Sequence, residues 1–140
     1  MNYIDLAKEL MQAMLLLKKN KPRVDVSEAM RGGTFILQYL LERREAVLPS
    51  EISIEMEIST ARIAAALNNL EKKNLIHREI NRSDRRQILV TLTAQGEALA
   101  EKQRQEMEAH TAHMLQSLGE HDALEFVRIL KRIAGFQENP

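Results

Sequence analysis

Apolar residues recur along most of this chain at intervals of three and four, the spacing that gathers them on one side of an α-helix. Over residues 2–19, Ile4, Ala7, Met11, Met14 and Leu15 share a face, and Asn20-Lys21-Pro22 stops the helix. A second helix is predicted over 27–44, with Phe35, Ile36, Tyr39 and Leu40 inward. Gly32-Gly33 weakens its first half, so firm helix is expected from near Thr34. Pro49 suits the first turn of a short third helix over 49–56, although Leu48 before it is a poor cap. Ser59 is a good N-cap for a fourth helix running to Lys73, with Ile63, Leu67 and Leu70 as its buried stripe. Asn74 then stands where a left-handed backbone is wanted, which asparagine tolerates better than most residues.

The period next shortens to two. Residues 75–80 and 87–92 read as short strands, the second with Ile88, Val90 and Leu92 alternating, and the polar turn Asn81-Arg82-Ser83-Asp84-Arg85-Arg86 joins them. After Thr93 the helical period returns. A long helix carries Leu99, Met107, Met114 and Leu115 to Leu118, and Gly119 ends it. A last helix over 120–136 is expected to bury Leu124, Val127, Leu130 and Ile133. The result is a mainly α fold of about six helices and a two-stranded β-wing. Its centre, a short helix, a tight turn, a longer helix and a hairpin, is the order of a winged helix-turn-helix.

The chain has 140 residues, enough for one domain with its own core. It has no cysteine, which removes disulfides, thiolate metal sites and thiol oxidation. The apolar run from Met11 to Leu17 is too short to span a bilayer, and no secretory signal is apparent, so a soluble cytoplasmic protein is expected. The net charge is zero, but it is unevenly spread. Residues 1–58 carry eight cations and nine anions, residues 59–96 seven and three, and residues 97–140 five and eight. The hairpin and the helix before it thus form a basic middle third, a distribution that fits a compact module that meets DNA and, on charge alone, fits chance clustering equally well.

If Ile63, Leu67 and Leu70 face inward, then Ala61, Arg62, Ala65, Asn68, Asn69 and Lys72 face outward. Small side chains let a helix lie close to a groove floor, and arginine and asparagine can bond guanine and adenine edges. Ser59 and Thr60 at the helix start leave free amides for a phosphate. In the hairpin turn, Arg82, Arg85 and Arg86 suit a narrow minor groove or the phosphate backbone, and Asp84 can hold one of them and fix the wing's shape.

The stretch from Ser59 to Gly96, STARIAAALNNLEKKNLIHREINRSDRRQILVTLTAQG, resembles the MarR family of winged-helix transcriptional regulators. The resemblance rests on the Leu-Glu-Lys-Lys run that closes the fourth helix, on Asp84-Arg85-Arg86, and on Val90-Thr91-Leu92-Thr93 with Gly96. It implies a homodimer that binds a pseudo-palindromic operator on double-stranded DNA, usually to repress, often under control of a small-molecule effector. It assigns residues 1–24 and 94–140 to dimerisation and 25–93 to DNA. The DNA-binding residues would be Ser59, Thr60, Ala61, Arg62, Ala65, Asn68, Asn69, Arg82, Ser83, Asp84, Arg85 and Arg86, with Asp84 and Arg86 as the wing's structural and contact pair. Asn74 replaces a common glycine and is expected to keep the turn.

Other chemistry has thinner support. Glu106, His110 and His113 share one face of the long helix, as metal ligands would, with His121 as a further donor. That arrangement permits a metal-responsive regulator, and solvated polar residues explain it equally well. No phosphate-cradling glycine loop or nucleophile motif points to an enzyme, and no cofactor or membrane partner is expected. A winged helix that binds proteins and does not read DNA is the remaining alternative.

Overall fold

The computed structural model describes residues 1–19 and 28–138. Helix α1 (Tyr3–Lys19) belongs to a first unit, Met1–Gly32. Asn2 starts it, its side-chain oxygen accepting from the Ile4 amide at 3.0 Å. None of its residues is buried, and Leu6, Leu10, Met11, Met14 and Leu15 are all exposed. The expected stop at Asn20-Lys21-Pro22 and the Ser27 start of the next helix lie outside the described residues.

Helix α2 (Glu28–Arg43) runs through the glycine pair without a break. The second unit starts at Gly33. It contains α3 (Pro49–Met56), α4 (Thr60–Lys72), an antiparallel hairpin of β1 (Ile76–Ile80) and β2 (Ile88–Leu92), α5 (Ala94–Leu118) and α6 (Glu120–Glu138). The strands pair from Ile76 opposite Leu92 to Ile80 opposite Ile88. Val47, between α2 and α3, adds a single bridge to Val90, with bonds of 3.0 and 2.8 Å in the two directions. One core joins α2, α3, α4, the hairpin and α5: Ile36, Leu37, Leu40 and Leu41 of α2, Ile52 of α3, Ile63, Leu67 and Leu70 of α4, Val47, Leu75, Ile76 and Val90, and Ala100 of α5. Each large aliphatic side chain among them contributes about 1.5–3 kcal/mol by leaving water.

Among the described residues, three helices end on non-glycine residues with left-handed backbone: Arg44 after α2 (φ 52°), Glu57 after α3 (φ 55°) and Asn74 after α4 (φ 59°). At Asn74 the Leu75 amide returns to the Leu70 carbonyl and the Asn74 amide to Glu71, at 3.0 and 2.9 Å. That is a Schellman turn, sealed by burial of Leu70 and Leu75. Glu57 makes the same pattern, with the Ile58 amide on the Ser53 carbonyl. At the weakly capped start of α3, Pro49 takes the first position and the Glu51 carboxylate accepts the Leu48 amide at 3.3 Å.

The chain is tied most tightly where α4, the hairpin and α5 meet. The Thr93 hydroxyl donates to the Asn74 carbonyl at 2.7 Å and accepts the Gly96 amide at 2.9 Å, which caps α5. The Thr93 amide donates to the Leu75 carbonyl at 3.1 Å. Gly96 lies so close that a Cβ there would overlap the Leu75 carbonyl. A second tie crosses from β1 to α4. Arg78 donates to both Glu71 carboxylate oxygens at 3.1 Å and to the Asn68 side-chain oxygen at 2.7 Å.

Several sequence-based expectations need correction. The inward face of α2 is shifted by one residue: Ile36, Leu37, Leu40 and Leu41 are buried, while Phe35 is exposed and Tyr39 only partly covered. Positions 35–37 and 39–41 are all apolar, so periodicity alone cannot select the phase. Ile88 sits beyond the core near the wing tip and is exposed. Leu124, Val127, Leu130 and Ile133 are not buried; their exposures run from 37 to 65%. Steps of three residues fall about 60° short of a turn, so this row winds around α6 and does not hold one face. Met107 and Met114 on α5 are exposed as well.

The close approach at Gly96 and the left-handed Glu57 have opposite consequences for stability. Gly96→Ala forces the Leu75 backbone to move and should lower stability by about 1–3 kcal/mol in urea denaturation, despite alanine's better helix propensity. Glu57→Gly should raise it, by about 0.5–1 kcal/mol, because glycine relieves the left-handed strain. The hydrogen bond from Arg78, and then its charge, hold the Glu71 carboxyl below its usual value of 4.5. The folded state therefore gains from this pair above the ordinary carboxylate range and loses the gain as pH falls through the lowered value. Glu71→Gln should be less stable than the parent protein at neutral pH, and the gap should close in acid, as read from urea midpoints across that range.

Candidate nucleic-acid interface

Helix α4 is built from the inside outward. Ile63, Leu67 and Leu70 of α4 are buried, which turns Ala61, Arg62, Ala65, Asn68, Asn69 and Lys72 to solvent as their spacing predicts. Ala64 is also exposed and widens the strip of small side chains. Ser59 caps the helix, its hydroxyl accepting the Arg62 amide at 3.3 Å. Beside it, exposed Thr60 and Ala61 begin the first turn, where free amides and the positive end of the helix dipole favour an anion. The helix thus offers amides at its start, a low alanine surface along its side and polar groups between.

The wing tip is shaped by its own side chains. Asn81 accepts the Ser83 amide on its side-chain oxygen at 3.0 Å and donates to the Gln87 side chain at 3.0 Å. The Asn81 amide bonds the Gln87 carbonyl at 2.9 Å and the Gln87 amide bonds the Asp84 carbonyl at 3.0 Å. Asp84 accepts the backbone amide and the Nε of Arg86, both at 3.1 Å. The Arg86 side chain stays 91% exposed. An ion pair so exposed adds little to stability, so its effect is to direct the arginine. Arg82, Ser83 and Arg85 are placed around it, with both arginines exposed. Two groups of outward cations result, Arg62 and Lys72 on α4 and Arg82, Arg85 and Arg86 on the wing.

Asn68 departs from the sequence-based expectation of a free amide on the helix surface. Its oxygen is bound by Arg78, which is itself fixed on Glu71 with its side chain 25% exposed. Sequence reasoning misses Arg78 because an arginine on a strand carries no periodic signal of its own. Its partner Glu71 lies seven residues away in sequence, across a turn whose geometry brings the two together. Asn69 carries its amide on the exposed surface.

The candidate metal ligands are not brought together. Glu106, His110, His113 and His121 are all exposed, and among the described residues no three His, Cys, Asp or Glu side chains are placed to hold one ion. Spacings of four and three along a helix align side chains but do not make them converge, because the remaining ligands must come from another element. Among the described residues, no helix is long and apolar enough to cross a membrane.

This architecture is shared by known regulators. Residues 34–111 match the model of a family described as winged helix DNA-binding domain. The HTH-type transcriptional repressor MdtR of Bacillus subtilis (strain 168) is 31% identical over 123 residues, covering 85% of this chain and 79% of that protein. The crystal structure of YusO from Bacillus subtilis superimposes with a TM-score of 0.73 at 26% identity, covering 96% of this chain and 99% of that one. Streptococcus pneumoniae FabT, solved in complex with DNA, has the same fold, with a TM-score of 0.69 at 20% identity over 99% of each chain. With the helix-turn-helix, the basic wing and these relatives in agreement, the chain belongs to the winged helix DNA-binding domain family and is a DNA-binding transcriptional regulator of the MarR type.

Proposed function

We infer that this regulator works as a homodimer that represses by binding a pseudo-palindromic operator. In this reading α4 enters the major groove of each half-site and the wing arginines meet the minor groove or the phosphates. The observation that carries it is the pairing of the outward polar face of α4 with an arginine wing whose tip is held by its own hydrogen bonds. Ser59, Thr60 and Ala61 would hold phosphate. Arg62, Ala65, Asn68 and Asn69 would face base edges. Arg82, Ser83, Arg85 and Arg86 would meet the backbone or minor groove, with Asp84 as the support of Arg86.

Dimerisation is supported by apolar surface that the single chain leaves open. Leu6, Leu10, Met14 and Leu15 on α1, and separately Phe126, Ile129, Leu130 and Ile133, which share one face of α6, are exposed. Patches of this kind fit a two-fold assembly, which would match an operator of two half-sites. Residues 1–24 and 94–140 are the proposed dimerisation parts and 25–93 the reading part. A small-molecule effector is supported by a groove of about 370 Å³ lined by Leu40, Leu41, Arg44, Leu92 and Glu97, next to the start of α5. An occupant there would touch both α2 and the long helix.

Fluorescence anisotropy across salt concentrations tests the wing. Arg85→Ala should flatten the log–log salt slope by about two, one phosphate neutralised by each protomer. An unchanged slope would exclude Arg85 from the DNA-facing set. Arg62→Ala and Asn69→Ala should instead relax sequence preference, each at a cost of about 1–3 kcal/mol per base pair that the side chain reads. Sedimentation at micromolar concentration should give a dimer, and Leu130→Glu should shift it toward monomer. A parent protein that sediments only as monomer would contradict the assembly.

A further inference from the structure

Of the outward residues Ala61, Arg62, Ala65, Asn68, Asn69 and Lys72, only Asn68 has its side chain bonded to a neighbouring element among the described residues. Its partner is Arg78 of β1, and the 2.7 Å separation is at the short end for an N–H···O bond. Arginine has donors and no acceptor, so Asn68 must turn its carbonyl oxygen, and not its amide nitrogen, toward β1. The two ends of a free surface amide can exchange by rotation. Here the guanidinium forbids that exchange, and it is anchored by two further bonds to Glu71 at 3.1 Å.

This orientation limits what Asn68 can read. A free asparagine recognises adenine with both ends, its oxygen accepting from N6 and its nitrogen donating to N7. When the oxygen is committed to Arg78, an adenine amino group would have to bond the same atom beside a positive charge. The remaining group is an –NH₂ with two hydrogens. Guanine presents two acceptors in the major groove, N7 and O6. We propose that Arg78 is a positioning residue that makes Asn68 a donor-only reader, selective for guanine in place of the adenine that a free asparagine prefers. The proposal rests on the reading of α4 as the base-contacting helix.

The test is selection of bound duplexes from a random pool with the full chain, Asn68→Ala and Arg78→Met. One position in each half-site should lose its preference in Asn68→Ala; it should be guanine for the parent protein and shift toward adenine in Arg78→Met. Adenine at that position for the parent protein, or guanine retained by a folded Arg78→Met, overturns the proposal. Arg78→Met also cuts the tie between β1 and α4, so a second measurement uses the unaltered protein. Replacing that guanine by 7-deazaguanine removes the N7 acceptor and should weaken binding roughly tenfold, the scale of one hydrogen bond. Equal affinity for the two bases overturns the proposal. If Asn68→Ala changes no position, Asn68 reads no base and the proposal falls, while reading by Arg62 and Asn69 stands. If the parent protein enriches no sequence, the reading of α4 falls with it.

Discussion

The Thr93 hydroxyl closes two structures with one atom: it donates to the Asn74 carbonyl at the end of α4 and accepts the Gly96 amide at the start of α5. The neighbouring Thr93 amide holds Leu75, and Gly96 leaves room for the Leu75 carbonyl. The Asn74 left-handed turn, the approach to the first strand and the first turn of the long helix therefore occupy one small volume. Any tilt of α5 must be taken up there, because a close-packed backbone has little room to yield. The orientation of α4 and the root of the wing both depend on that junction.

From this root the surface proposed to face DNA is assembled with little buried polarity. The core is aliphatic, and the polar ties of α4 and the wing, Arg78 to Glu71 and Asp84 to Arg86, lie at the surface. Such pairs add little stability, but they restrict where cations and amides point. This matters in a chain of zero net charge. Attraction to DNA must come from local placement, and the basic residues of the middle third are displayed on the exposed side of α4 and on a self-braced hairpin tip. Arg44 makes a comparable link inside the same unit, reaching Glu101 at 3.5 Å and Glu97 at 3.9 Å, beside the groove proposed for an effector.

Much of the fold can be read from the chain because local rules and tertiary packing agree. Ser59 caps α4, Ile63, Leu67 and Leu70 are its buried stripe, Asn74 is left-handed, and the period-two stretch pairs as a hairpin. Asp84 braces Arg86, two residues along the same turn. What cannot be read needs a partner from elsewhere. The phase of α2 is hidden in an almost continuous apolar run, and Val47 gives no sign of its bridge to Val90. Glu57 and Arg44 occupy left-handed positions that sequence rules assign to Gly or Asn. Arg78 can be placed on Asn68 only once the turn at Asn74 is known. The row of Leu124 to Ile133 shows periodicity misleading in the other direction, since a spacing of three throughout does not make a face.

The central claim is that α4, the hairpin and α5 move as one body through Thr93. Native-state hydrogen exchange on Thr93→Val, which keeps the side chain's shape and removes its hydroxyl, tests this most directly. The variant should lose protection at the Leu75 amide, in β1 and in the first turn of α5 together, by a common factor. Loss confined to the first turn of α5, with Leu75 and β1 unchanged, would show that Thr93 is only a helix cap and would contradict the coupling.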